Sequence, residues 1–99
     1  MFLVRDIMHC KPGKVRQMVE KFVALSKLSK QMGFGQMRVM TDVCAEQYWT
    51  VVAEMEVESL EKYSEMSRKS MDVKEFQEVM KGYHDLIERG RREIYMLEN

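Results

Sequence analysis

Ninety-nine residues, 45% of them hydrophobic and 32% charged, describe one globular domain whose single core hides roughly two-thirds of the unfolded surface. Sixteen basic and sixteen acidic side chains cancel, which argues against a nucleic-acid partner, because such proteins concentrate a basic excess on one face. No apolar run is long enough to span a bilayer, and "MFLVRD" lacks the basic region and long apolar stretch of a leader, so a cytoplasmic protein without a membrane partner is expected.

The first predicted strand covers residues 2–10. Its alternation puts Val4, Met8 and Cys10 on one side and Arg5, Ile7 and His9 on the other. "KPGK" stops it, since Pro12 removes a backbone donor and Gly13 permits a turn. From Lys14 the period changes: Val15, Met18, Val19, Phe22, Leu25 and Met32 recur at steps of three and four, which predicts an amphipathic helix over 14–32. Gly33 follows as a left-handed cap.

Two strands come next, "QMRVMTDV" and "QYWTVVAEMEV", joined around "CAE". The second carries the densest β signal in the chain, from Tyr48 to Val52. Its odd positions, Trp49, Val51, Ala53, Met55 and Val57, make an apolar face for the helices; Tyr48, Thr50, Val52, Glu54 and Glu56 make the other. A hairpin pairing Met40 with Thr50 and Val39 with Val51 keeps Met37, Val39 and Thr41 on the apolar side and Arg38, Met40 and Asp42 on the mixed one. Ser59 is placed as the N-cap of a helix carrying Leu60, Tyr63 and Met66. Asp72 and Glu75 have capping-box spacing before Phe76, Val79, Met80, Tyr83, Leu86 and Ile87. Two helical pieces, or one bent helix, are expected between 59 and 89, ended at Gly90, with "REIYMLE" as the closing strand.

The order β-α-β-β-α-β predicts an α+β, ferredoxin-like domain spanning residues 1–99: a four-stranded antiparallel sheet in the order 4-1-3-2 with both helices on one face. The other face carries Leu3, Ile7, Met40 and Val52, too apolar to face water. The same face of a second copy is the simplest cover, so a homodimer is expected.

The sequence resembles the dimeric α–β barrel superfamily, with its NIPSNAP-like and antibiotic-biosynthesis-monooxygenase-like proteins. The resemblance rests on "VRDIMHCKPGK" running into helix 14–32, on "SLEKYSEM", "VKEFQEVM" and "RGRREIYMLE", in that order and spacing. It implies two sheets facing each other as a barrel, with ligand pockets inside it or between sheet and helices. It also implies a choice of activities, among them cofactor-free oxygenases, isomerases, haem-degrading enzymes and proteins of unknown reaction. Haem-degrading members look for an Asn near the first strands, a Trp in the third strand and a helix His. Here the only Asn is Asn99, Trp49 fits, and His84 comes late in the last helix; the pattern is incomplete.

For chemistry, His9 is the candidate general base for an acidic phenol or enol, its ordinary pKa lying near neutrality. The plainer reading is a strand-end histidine satisfied by backbone or water. Arg5 and Arg38 could hold a developing oxyanion, although Arg38 lies diagonally from Glu54 and an ion pair comes first to mind. Asp42, Tyr48, Met40 and Glu54 would line the same face. Trp49, Tyr63, Phe76 and Tyr83 could wall a planar ligand between sheet and helix, or be plain core. His84 could lean toward Asp6 as a pocket group, or sit solvated. Arg89, Arg91 and Arg92 read as cations at a helix C-terminus.

The methionine excess, eleven residues, suits an adaptable apolar pocket or a loosely specified core. Cys10 and Cys44 form no metal motif. Strands one and three are read as parallel, which puts the two thiols at opposite ends of the sheet, on the order of 20 Å or more apart, so no bond between them is expected within one chain. No metal constellation, nucleotide-binding glycine loop or nucleophile triad is present, and no cofactor is expected. Two functions fit these features: a cofactor-free oxygenase or isomerase on a small enolisable or aromatic compound, and a non-catalytic binding or interaction module.

Overall fold

The computed structural model describes all residues from Met1 to Asn99. The elements are β1 (Phe2–Cys10), α1 (Val15–Gln31), β2 (Met37–Thr41), β3 (Thr50–Val57), α2 (Leu60–Met71), α3 (Lys74–Met80), a 3₁₀ turn (Tyr83–Leu86) and β4 (Ile87–Met96). The sheet order is β2-β3-β1-β4 with every pair antiparallel, the ferredoxin-like arrangement read from the sequence.

The helix-facing side of the sheet builds the core. Cys10, Val51 and Ala53 pack with Met18 and Phe22 of α1 and with Leu86; Val4, Met55 and Val57 pack under Tyr63 and Met66 of α2. Met18 and Val51 lose all contact with solvent, so the three- and four-residue stripe of α1 and the odd face of β3 meet where the core is densest. Gly33, at φ 75°, donates its N–H to the Lys30 carbonyl and ends the α1 register. Ser59 caps α2, its hydroxyl accepting from the Lys62 N–H at 3.1 Å.

Several boundaries differ from the sequence expectation. The β2–β3 hairpin pairs Met40 with Val52, Val39 with Ala53 and Arg38 with Glu54, two residues along from the predicted register. A shift of two preserves facing, which is why the assignment of faces survives. The cause lies in the connecting loop. Asp42 accepts the Thr50 N–H on Oδ1 at 2.9 Å, and Thr50 Oγ1 donates to the Gln47 carbonyl at 2.8 Å. This clamp delays the strand to Thr50 and holds Trp49 at φ 63°, a left-handed conformation uncommon for a residue with a side chain. Trp49 is therefore no part of the helix-covered face; it is 46% exposed, and Tyr48 is 83% exposed.

The last third is also redrawn. Asp72 ends α2 instead of capping α3, whose N-cap is Val73 with no side-chain bond. α3 stops at Met80, its terminal carbonyls of Val79 and Lys81 taken by Lys21 Nζ of α1 at 2.9 and 2.8 Å. β4 consequently begins at Ile87 and contains Arg89, Arg91 and Arg92, so these arginines cap no helix. Gly90 lies inside β4 opposite Met8. A Cβ there would fall 2.7 Å from the Met8 sulfur, so Gly90 permits close packing within a strand and does not end a helix.

β1 and β3 are antiparallel, which corrects the placement of the cysteines. The Cys10 N–H donates to the Trp49 carbonyl at 2.8 Å, so the end of β1 meets the start of β3, and Cys10 and Cys44 line one hollow at the same end of the sheet. Cys10 is buried, with burial raising its thiol pKa, and Cys44 is exposed.

Candidate functional site

Cross-strand registers turn the open face of the sheet into rows. One row runs Arg38, Glu54, Arg5, Glu93 across β2, β3, β1 and β4; the next runs Met40, Val52, Ile7, Arg91; a third joins Thr50, His9 and Arg89. An alternating charged row and a polar row thus flank an apolar one. Between them lies a hollow of about 300 Å³, at the lower end of the usual range for a small-molecule site. Ile7, only 5% exposed although it points away from the helices, forms its floor with Val52 and Met40.

The charged row is internally paired. Glu54 is buried, and both of its oxygens are occupied: Oε2 accepts from Arg5 Nε at 3.0 Å and lies 2.9 Å from Arg5 Nη2, while Oε1 accepts from Arg38 Nη2. The Arg5 guanidinium also lies 5.5 Å from the centre of the Tyr95 ring. Glu93 accepts from the Tyr95 hydroxyl at 2.8 Å and from Arg91 Nε at 3.0 Å. These two bonds, the phenol first, hold its carboxyl below the usual carboxylate range.

His9 is buried and bonded through both ring nitrogens. Arg91 Nη1 lies 2.7 Å from Nε2, and Thr50 Oγ1 lies 3.2 Å from Nδ1. A guanidinium can only donate, so Nε2 is the acceptor and the ring proton sits on Nδ1. The Nδ1–H then donates to Thr50, whose own proton goes to the Gln47 carbonyl. The tautomer is fixed by this chain of partners. Burial, followed by the nearby charges of Arg89 and Arg91, lowers the His9 pKa from its ordinary value against the weaker pull of Glu46 and Glu88. The imidazole is a neutral acceptor at neutral pH, with its lone pair turned to an arginine.

Of the residues singled out from the sequence, Arg5, His9, Met40, Asp42 and Glu54 come together in this hollow. Arg38 grips Glu54 from the β2 edge, but its side chain lies outside the lining and is 62% exposed. Tyr48 and Trp49 line the separate hollow at the sheet end with Cys10 and Cys44. Tyr83 and His84 stack on each other, ring centres 4.0 Å apart, beside a groove along β4. His84 belongs to the 3₁₀ turn, not to a helix. Asp6 lies in the same groove but is paired with Arg92 at 2.6 Å, and that guanidinium covers the Tyr63 ring. The proposed aromatic wall does not form, because Trp49 is outside the sheet and Phe76 packs against Phe34 instead.

Sequence reasoning missed Arg91 and the Thr50–Gln47 support of His9. The signal for Arg91 was its parity with Glu93 and Tyr95, hidden once Gly90 was taken as a helix end. No set of three or more His, Cys, Asp or Glu side chains is arranged to hold a metal ion.

This geometry defines a ferredoxin-like α+β domain with an open, partly apolar sheet face. No protein-family model and no curated protein matches the chain. Solved structures do. An uncharacterised NIPSNAP-like domain protein from Burkholderia xenovorans superposes with a TM-score of 0.82 at 17% identity, over 99% of this chain and 85% of that one. A NIPSNAP family protein from Agrobacterium tumefaciens gives 0.80 at 18% identity, over 99% and 93%. A candidate antibiotic biosynthesis monooxygenase from Nitrosomonas europaea gives 0.76 at 12% identity, over the full length of both chains. These are the groups that the sequence resembles, and at such identities the likeness establishes the fold.

Proposed function

We propose that the chain binds a small apolar or aromatic molecule on its open sheet face, and that it does so as a cytoplasmic homodimer whose second sheet closes the hollow. One observation carries this reading: Ile7 and Val52 floor a hollow on the solvent side of the sheet, with His9 at one margin and the Arg5–Glu54 pair at the other. Such a mixture of apolar floor and few convergent polar groups suits ligand capture.

The catalytic form of the reading is a cofactor-free oxygenase or isomerase acting on an enolisable or aromatic compound. His9 Nε2 would take the acidic proton, Thr50 would hold the ring, and Arg5 would steady the oxyanion, with Arg38 fixing Arg5 through Glu54. The second reading is a non-catalytic binding module. It is favoured by the present engagement of the same groups, since Arg5 and Arg38 are both spent on Glu54 and Nε2 already accepts from Arg91.

Native mass spectrometry of freshly purified protein, repeated after denaturation, tests the shared part. A dimer carrying an added non-covalent mass is the expected result, and a clean monomer refutes the barrel. With a substrate identified from that mass, His9→Ala separates the two forms: turnover at an undiminished rate eliminates His9 as the base.

A further inference from the structure

We infer that Arg91 is the anion-recognising residue of this hollow, and that the ligand it takes is a small aromatic or enolic anion whose oxygen replaces His9 as its partner. The inference rests on the reading of the hollow as a small-molecule site and gives that site a chemical preference.

Four arginines stand on the open face and differ in what they hold; Arg89 gives Nη2 to the Gln47 side-chain oxygen at the sheet end and does not line the hollow. Arg5 and Arg38 both bind the buried Glu54 carboxylate; pulling Arg5 away leaves that charge with Arg38 alone, and Arg38 lies outside the hollow. Arg91 gives Nε to Glu93 at 3.0 Å but spends Nη1 on a neutral imidazole at 2.7 Å. Its Nη2 has no side-chain or backbone partner in the fold. A neutral nitrogen is the weaker acceptor for a cationic donor; an oxyanion adds the attraction of an ion pair and matches the guanidinium fork. The ion pair favours the exchange against the anion's own desolvation, and the Glu93 bond keeps the side chain in place while it occurs.

Position agrees with this chemistry. Arg91 stands directly opposite Ile7, at the end of the apolar row. A planar ring over Ile7 and Val52 would carry its charged substituent to Arg91, with Met40 at its other edge. The ligand would also release the Nε2 lone pair of His9 into the hollow. The charged groups facing that imidazole are Arg89, Arg91 and Glu88 from β4 and Glu46 from the 42–49 loop, while β3 presents only the Thr50 hydroxyl. An anion on Arg91 cancels one of the two cations that lower the His9 pKa, while burial and Arg89 continue to hold it down.

The test is a nitrogen-detected NMR titration of the His9 ring and of the Ile7 and Val52 methyl groups, using benzoate and the uncharged benzyl alcohol as probes. Benzoate is expected to shift the Nε2 resonance of His9 as its Arg91 partner is taken. Arg91→Gln should weaken benzoate by about tenfold or more and leave benzyl alcohol unchanged. Arg91→Lys, which keeps the charge without the fork, should recover part of the loss and guards against a folding defect in the first variant. Benzoate binding equally well to native protein and Arg91→Gln overturns the role of Arg91 while the small-molecule site stands. If neither probe moves Ile7, Val52 or His9, both the inference and the reading beneath it fall.

Discussion

Replacing Glu54 by Gln removes the charge that joins three strands of the open face. The carboxylate is 6% exposed and meets two guanidinium groups, Arg5 from β1 and Arg38 from β2. The amide keeps the shape but turns one N–H₂ toward a cationic donor, so at least one charge-assisted bond is lost outright. Losing a bond to a charged group costs about 1.5–3 kcal/mol. The Arg38 side chain, 62% exposed, is rehydrated easily and adds only the surface value of roughly 0.2–1 kcal/mol. The Arg5 side chain is 35% exposed and reaches Oε2 through two nitrogens, so it carries the larger share. The expected total is about 2–4 kcal/mol, a fall in Tm of roughly 8–32 °C for a domain of this size. Urea denaturation followed by far-UV circular dichroism at one fixed protein concentration measures it. Double-mutant cycles with Arg5→Ala and Arg38→Ala apportion it. An Arg38–Glu54 coupling equal to or above the Arg5–Glu54 coupling would refute the reasoning, because exposure would then fail to discriminate between the two pairs.

Two further outcomes follow from the same face and its neighbour. The folded His9 pKa is lowered below its ordinary 6.5, so the unfolded chain takes up this proton first as pH falls. Its contribution is therefore fully present above the unfolded value and is lost as pH drops from there through the folded value. His9→Gln should flatten the slope of stability against pH in that acid window, and an unchanged slope would show that His9 is not its source. Gly90→Val should destabilise by about 1 kcal/mol through overpacking against Met8, whose flexible sulfur end gives way in part, with Met8→Ala recovering part of the loss in the same chain. Chemical denaturation of the single and double variants decides it, native-like stability of Gly90→Val alone being the contrary result.

The alternation of β1 and β3 was readable because a strand side chain has a period of two, and the ion pair of Arg38 with Glu54 followed from that parity alone. The pairing register was less readable. It depends on where the hairpin loop closes, and that is decided by Asp42 and Thr50 bonding to each other's backbone across the turn. Local propensity instead favours "YWT" as strand, and the polar clamp overrides it. The last helix was overextended for a related reason: Tyr83, Leu86 and Ile87 continue the apolar spacing of α3 although the chain has left the helix at Lys81. That error put Arg91 on the wrong kind of element and kept it from His9. Eight members of the hollow, Arg5, Ile7, His9, Met40, Asp42, Thr50, Val52 and Glu54, were legible from facing. The partner that engages the imidazole was not, since it arrives from a strand far away in sequence.

Trp49 is the chain's single tryptophan, turned outward by its left-handed backbone at the sheet end. With 46% of the residue exposed, its emission in the free protein should already be that of a partly wetted indole, so unfolding shifts it less than it would a core tryptophan. Anything that settles over the 42–49 loop removes water from the ring and moves the emission to the blue. The intrinsic fluorescence of this protein is thus a poor thermometer of its core and a built-in, label-free indicator of what covers one end of its sheet.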